Sequence, residues 1–297
     1  MKNWMYAALV FLGGCCFGVL STFVKLAYGQ GFTLAVVSGS QFLCGTLLLW
    51  VVLPFVKKQY LSYREIFKLI VSGIPMGLTG ILYYQSLQTL DASLAIIFLF
   101  QFVWLGSLLE YIIDRKKPSV TKILSILILI LGSIFAAGVF QTTNSSLSGI
   151  GTIWGLMAAL SFSIFIYTSG TVGKHVPAIQ KSSWLAVGGL LIVFIIFPPF
   201  FLVDVDTLVG VAPFGIFLGL FGVTLPPFLF SIGMPRVGSG LGTILSSSEL
   251  PVAIIMSAVI LAEYIAPLQW FGVIVILVGI IIGNKRQVKQ QPHASLS

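Results

Sequence analysis

Charge is scarce in this sequence. Asp, Glu, Lys and Arg make up 8% of its 297 residues, against about 25% in an ordinary soluble domain. A globular surface could not be covered with so few polar groups. Histidine is limited to His175, in an expected loop, and His293, in the tail. The three cysteines, Cys15, Cys16 and Cys44, all lie inside apolar runs. They offer neither a disulfide framework nor a CxxC metal pattern, and an intramembrane histidine relay or metal cluster is excluded with them. No metal or cofactor is therefore expected. The chain has no GxxxxGK[ST] phosphate loop, which excludes an ATP-driven pump built from this chain alone.

Apolar residues fill that space, at 58% of the chain with a mean hydropathy of +1.07. Lipid offers a bare backbone no hydrogen-bond partners, so spans must be helices or a closed barrel. The apolar runs here are about 20 residues long, which is helix length. Ten are expected, near 3–26, 34–56, 67–89, 92–113, 120–140, 149–171, 183–203, 211–231, 239–261 and 267–284. The stretch Leu12–Cys15 after Lys2 matches a lipoprotein cleavage pattern, but the apolar run continues through Val24 and reads as a first span. The expected fold is an all-α integral membrane protein.

Lysine and arginine orient it. With the N-terminus in the cytoplasm, the inner segments hold Lys2, Lys57, Lys58, Arg64, Lys68, Arg115, Lys116, Lys117, Lys122, Lys174, Lys181, Arg236, Lys285, Arg286 and Lys289. Those are fifteen of the sixteen basic residues. The exception, Lys25, sits at the outer end of the first span. Asp91, Asp204, Asp206 and Glu263 fall in outer loops. The formal charge of +8 then means anchoring against anionic lipid rather than nucleic-acid binding. Both termini are expected inside, in a multi-pass protein of the cytoplasmic membrane.

The two halves resemble each other at an offset near 149 residues. Asp114 and Pro118 fall opposite Glu263 and Pro267, Lys25 opposite Lys174, and Phe102 opposite Pro251. Five spans in each half is an odd number, so the second half must sit inverted relative to the first, an arrangement common in secondary transporters. The expected boundaries are 1–144 and 145–284 for the repeats and 285–297 for a cytoplasmic tail. The stretches LDASLAIIFLFQFVWLGSLLEYIIDRKKPS (90–119) and GSGLGTILSSSELPVAIIMSAVILAEYIAPLQWFGVIVILVGIII (238–282) resemble the EamA type of the drug/metabolite transporter superfamily. Pro251, Val252, Glu263, Gln269, Gly272 and Gly279 carry the likeness. It implies a ten-helix carrier of two five-helix repeats, and supports efflux of amino acids or related compounds. The first repeat has Phe102 where the second has Pro251, which removes the reason to expect matching kinks in the fourth and ninth spans.

Two acids lie within spans. Glu110, near the inner end of the fourth, can reach headgroups or pair with Arg115. Glu249 lies about ten residues from either end of the ninth, too deep to snorkel. A charge at the bilayer centre costs about 2.5–3.5 kcal/mol or more, so this carboxyl must face a polar cavity or stay protonated. Pro251 removes a backbone donor and frees the carbonyl of Ser247. Ser246, Ser247 and Ser248 either satisfy such groups locally or line a cavity. The expected substrate-binding set is Glu249, Gln101, Ser246, Ser247, Trp104, Tyr84, Gln85, Gln41, Trp154 and Tyr167, with Pro251 as the kink and Glu249 as the proton-coupling group. One acid, several amides and aromatic faces suit a small solute with an amine or cationic group.

The expected function is secondary transport of a small polar metabolite, amino acid or amine, by alternating access, with export favoured and proton coupling through Glu249. An intramembrane enzyme would need a second acid or a nucleophile–base pair in the bilayer, so the chain is not read as an enzyme. A multidrug exporter of lipophilic cations is the nearest alternative; a channel or non-transporting receptor is the next. The expected partners are a small-molecule substrate and the lipid bilayer. The sequence does not choose between monomer and homo-oligomer.

Overall fold

The structure, a computed structural model, describes residues 3–90, 92–115, 117–136 and 148–290. Lys2, Asp91, Lys116 and His293 lie outside them, as do the junction near 145 and the end of the tail. The described residues form helices and no strand. In order they are α1 (Asn3–Gly29), α2 (Leu34–Val52), α3 (Tyr63–Ser86), α4 (Ala92–Phe100), α5 (Phe102–Asp114), α6 (Val120–Ala136) and α7 (Gly149–Thr171). There follow α8 (Ala178–Ile196), α9 (Val205–Leu218), α10 (Leu225–Val237), α11 (Ser239–Ser246), α12 (Glu249–Ile260) and α13 (Pro267–Gln290). Three pairs each make one span, α4 with α5, α9 with α10 and α11 with α12. Among the described residues nine spans are long and apolar enough to cross a membrane, and Val120–Ala136 is a shorter apolar helix.

Local chemistry sets several boundaries. Ser62 and Glu65 form a reciprocal capping box at the start of α3, and Thr33, Ser148 and Asp204 cap α2, α7 and α9 through their side chains. Each occupies orphan N–H groups that lipid could not. The seventh span stops at Ile196 rather than near 203, because Pro198 and Pro199 cannot continue a helix. The eighth is longer than expected, Val205–Val237, with a π-helical turn over Gly219–Thr224. Pro226 and Pro227 lack the N–H groups that would have bonded the carbonyls of Gly222 and Val223, and the Leu225 N–H reaches back to Leu220 instead.

The two halves are interleaved rather than side by side. α3 of the first half packs chiefly on α7 and α8 of the second, while α9 and α10 pack on α2 and α1. Glycine permits both crossings. A Cβ on Gly73 or Gly188 would run into the opposing backbone carbonyl, of Leu185 and Ile70 respectively, and one on Gly219 would meet Gly45 and Gln41 backbone. α6 and α13 pair along their length through Gly132 and Gly272.

Contacts between loops sort them onto two ends. On one end Gln180 bonds the Gln59 backbone twice, at 2.8 and 2.9 Å. There too His175 meets Glu65 at 2.9 Å, Tyr167 donates to Asp114 at 2.7 Å, and Arg236 lies over the Tyr6 ring. These are the loops in which the basic residues concentrate. On the other end Lys25 pairs with Glu263 at 3.1 Å.

Both the fourth and the ninth spans are broken, against the expectation that Phe102 removes the reason for a matching kink. In the ninth, Ser247 and Ser248 donate three residues back, to Ile244 and Leu245, and Pro251 then sits in the first turn of a new helix. In the fourth, Gln101 does the same work without proline. Its side-chain Nε2 takes the carbonyl of Ile97 at 3.0 Å, the partner its own N–H would have had, and that N–H goes to Phe98 instead. Arg115 and Ala262, the two non-glycine residues with positive φ among those described, follow the fourth and ninth spans at matching places.

Candidate functional site

The break in the ninth span is packed against α1. A Cβ on Gly14 would strike the Ser248 hydroxyl and Ser246 backbone, and one on Gly18 would strike the carbonyl of Glu249. These two glycines, one turn apart, let α1 pass directly over the interruption. Glu249 thereby becomes the first residue of α12, where the helix N-terminus favours negative charge. Its side chain lines a partly enclosed cavity. One carboxylate oxygen, Oε2, is buried and has no hydrogen-bond partner among the described residues.

The cavity lies between α1, α2, α3, α4, α7, the π turn and α12. Its polar lining is Glu249, Gln41, Ser21, Thr79, Tyr83 and Tyr84, and the rest is largely aromatic and aliphatic, led by Phe17, Phe42 and Phe162. Glu249 is the one charged side chain lining it among the described residues. Tyr84 donates its hydroxyl to Gln41 Oε1 at 3.1 Å. That contact fixes which way the amide faces and leaves its Nε2 with no partner among the described residues. Gly222 in the π turn makes room for it, because a Cβ there would collide with Gln41 Nε2.

Of the expected binding residues, Glu249, Gln41 and Tyr84 come together here; the others do not line this cavity. Ser246 and Ser247 return their hydroxyls to carbonyls four residues back, Gly242 at 2.9 Å and Thr243 at 3.1 Å, and Ser248 donates to the Phe11 carbonyl on α1 at 2.7 Å. Gln101 spends its amide on Ile97 and on Trp104, whose Nε1 donates to Gln101 Oε1 at 2.8 Å. Trp104 itself lines a shallow groove between α5 and α6 on the outside of the bundle. Tyr167 is engaged with Asp114. Gln85 and Trp154, both half-buried, are absent from the lining.

Glu110 pairs with Lys122 at 2.5 Å, both side chains largely buried, rather than with Arg115. The α6 lysine reaches it because Gly240 of α11 has no side chain; a Cβ there would overlap both charged groups. Sequence reasoning passed over Tyr83, Thr79 and Met76 of the cavity. Their signal was a stripe on α3 at 76, 79, 80, 83 and 84, the spacing of one helix face.

The described residues thus form an all-helical fold of apolar spans whose two halves interleave around a cavity with one ionisable wall. The family model for EamA-like transporters matches twice, over residues 4–138 and 149–284. The chain belongs to the EamA-like transporter family. It is similar to the uncharacterized transporter YetK of Bacillus subtilis (strain 168), at 25% identity over 271 residues, covering 86% of this chain and 79% of that protein. A solved crystal structure of a protein shares the fold with a TM-score of 0.72 at 15% identity, covering 93% of this chain and 98% of that one.

Proposed function

We propose that this transporter exports a small amine-bearing metabolite across the cytoplasmic membrane by alternating access, exchanging the amine for a proton at Glu249. The observation that carries this reading is the Glu249 carboxyl, turned into an apolar and aromatic cavity with Oε2 buried and unpartnered. A carboxyl in such surroundings is costly as a bare anion, but becomes neutral by taking a proton or compensated by taking an ammonium. It holds one or the other, which is the condition for exchange. Binding there shifts the two repeats only through a difference in affinity between their two arrangements. The concentration of basic residues on one end supports a cytoplasmic placement of that end and of both termini.

A second reading within transport, export of lipophilic cations, is favoured by the aromatic lining, because Phe17, Phe42, Phe162, Tyr83 and Tyr84 offer faces to a desolvated cation. Both readings make the chain a carrier rather than an enzyme, channel or receptor. The test is flux in proteoliposomes under an imposed pH gradient, with primary amines and tetraphenylphosphonium as probes. Glu249→Gln is expected to abolish gradient-driven movement of the amines. Unchanged amine flux and pH dependence in that variant would falsify the exchange role. Transport of tetraphenylphosphonium in place of the amines would select the second reading, whereas channel-sized currents or ligand binding without flux would exclude both.

A further inference from the structure

A second cavity adjoins the first on the side of the Lys25–Glu263 pair and shares Ser21, Tyr83, Ile96 and Ala253 with it. Its other lining residues include Thr22, Lys25, Leu250, Ser257, Glu263 and Gln269. The chemistry of the two chambers differs. The central one has a carboxyl and no cation, so it can take an ammonium but offers nothing to a carboxylate. Lys25 is the one cation lining either chamber among the described residues.

Three features make the outer chamber a binding surface rather than a sealed joint. The Lys25–Glu263 pair is 3.1 Å long with side chains 40% and 45% exposed, so neither group is sealed inside the bundle. The lysine ammonium has three donors and makes one hydrogen bond among the described residues. Thr22, 1% exposed, has a buried hydroxyl with no partner among the described residues, and its residue lines this chamber. By contrast Gln269 is used at both ends, accepting from the Ala266 N–H and donating to the Ala136 carbonyl. Glu263 is anchored independently of Lys25, because the Ser257 hydroxyl donates to its other oxygen. Removing Lys25 from it therefore leaves the acid in place. Gly18, against the Glu249 backbone, and Lys25 are seven residues apart on α1, about 10 Å along the axis.

We propose that the outer chamber is a second substrate station for zwitterionic amines, in which Lys25 leaves Glu263 to bind the solute's carboxylate while Glu263 receives its ammonium. Lys25 is thus the residue that decides whether the transporter accepts amino acids as well as simple amines. The inference rests on the amine-carrying reading of Glu249.

The test measures binding of two matched pairs, L-phenylalanine with phenethylamine and L-leucine with isopentylamine, to the purified full-length protein and to Lys25→Gln and Glu263→Gln. Lys25→Gln is expected to weaken amino-acid binding about tenfold or more, the scale of one charge-assisted hydrogen bond, and to leave the amines within about twofold. Glu263→Gln is expected to weaken amino-acid binding as well, because the solute's ammonium loses its carboxylate in the outer chamber, while amine affinity at the central cavity stays within about twofold. A purely structural clasp predicts that both variants weaken all ligands alike, and that result overturns the proposal. So does an unchanged amino-acid affinity in Lys25→Gln. Wild-type protein that binds the amines but neither amino acid overturns it too, with the Glu249 reading left standing. Protein that binds none of the four rejects the amine reading and this inference together.

Discussion

The fourth and ninth spans are the same backbone put to opposite uses. Both are two short helices joined by a broken turn, and both are followed by a residue in the left-handed region, Arg115 and Ala262. In the fourth, every polar group with a visible role is consumed. Gln101 satisfies Ile97 and Trp104, Glu110 is buried against Lys122, and Asp114 receives Tyr167. In the ninth, the serines pair but Glu249 keeps an oxygen with no partner among the described residues, and Glu263, just beyond the span, sits in an exposed pair with Lys25. Symmetry of fold is therefore not symmetry of chemistry. One span spends its polar groups inside the bundle, and the other keeps an acid with an oxygen unpartnered among the described residues.

The largest test of this contrast is Lys122→Met. Removing one partner from a buried pair strands the other charge, at a cost of about 3–5 kcal/mol, so thermal unfolding in detergent should fall sharply. Adding Glu110→Leu should recover most of the loss, because both buried charges are then gone. A single variant as stable as wild type would remove the structural role assigned to this span. Next in size is Gln101→Leu, which leaves the Trp104 indole and the Ile97 carbonyl without their partner. It should cost about 1–2 kcal/mol in the same melt while leaving ligand affinity unchanged. A loss of affinity with normal stability would return Gln101 to the binding site.

Pro251→Ala restores a donor for the Ser247 carbonyl and should straighten the ninth span. The expected stability change is about 1 kcal/mol or less, with a clear fall in transport, since Glu249 would no longer begin a helix against α1. Normal flux in this variant would separate the break from function. The smallest effect belongs to Glu263→Gln. Partial burial works to raise this carboxyl, but the Ser257 hydroxyl and the Lys25 ammonium hold it below its ordinary value. The contribution of a depressed acid is complete above its unfolded value, about 4.3, and disappears as pH falls through the lower folded one. Wild type and variant should differ by at most about 1 kcal/mol at neutral pH, as for exposed pairs, and converge in acid. A difference that grew on acidification would contradict the assignment.

Much of this was legible in the chain because lipid leaves few choices. Twenty-residue apolar runs gave the ten spans, Pro198 and Pro199 being the punctuation that was misjudged. The loop lysines and arginines sorted the connections onto two ends, as the contacts of Gln59, Glu65 and Asp114 now do independently. Glu249 was conspicuous because an acid so far from both ends of a span has no cheap explanation. Gln41 and Tyr84 could be guessed as polar, but not their mutual bond, which joins residues 43 positions apart.

What the sequence determined by itself was the class of solvent this protein lives in, the order of its apolar spans and the one acid that had to be accounted for. These follow from composition and local periodicity, since hydrocarbon penalises every unpaired polar group wherever it lies. Only the tertiary structure decided which polar side chains were spare. Gln101 and the serines looked like Glu249 in sequence and differ from it by having partners, on their own helix or on α1. Whether a partner is present depends on which helix passes overhead, and that is set by glycines such as Gly14, Gly18 and Gly240, whose importance lies in what approaches them.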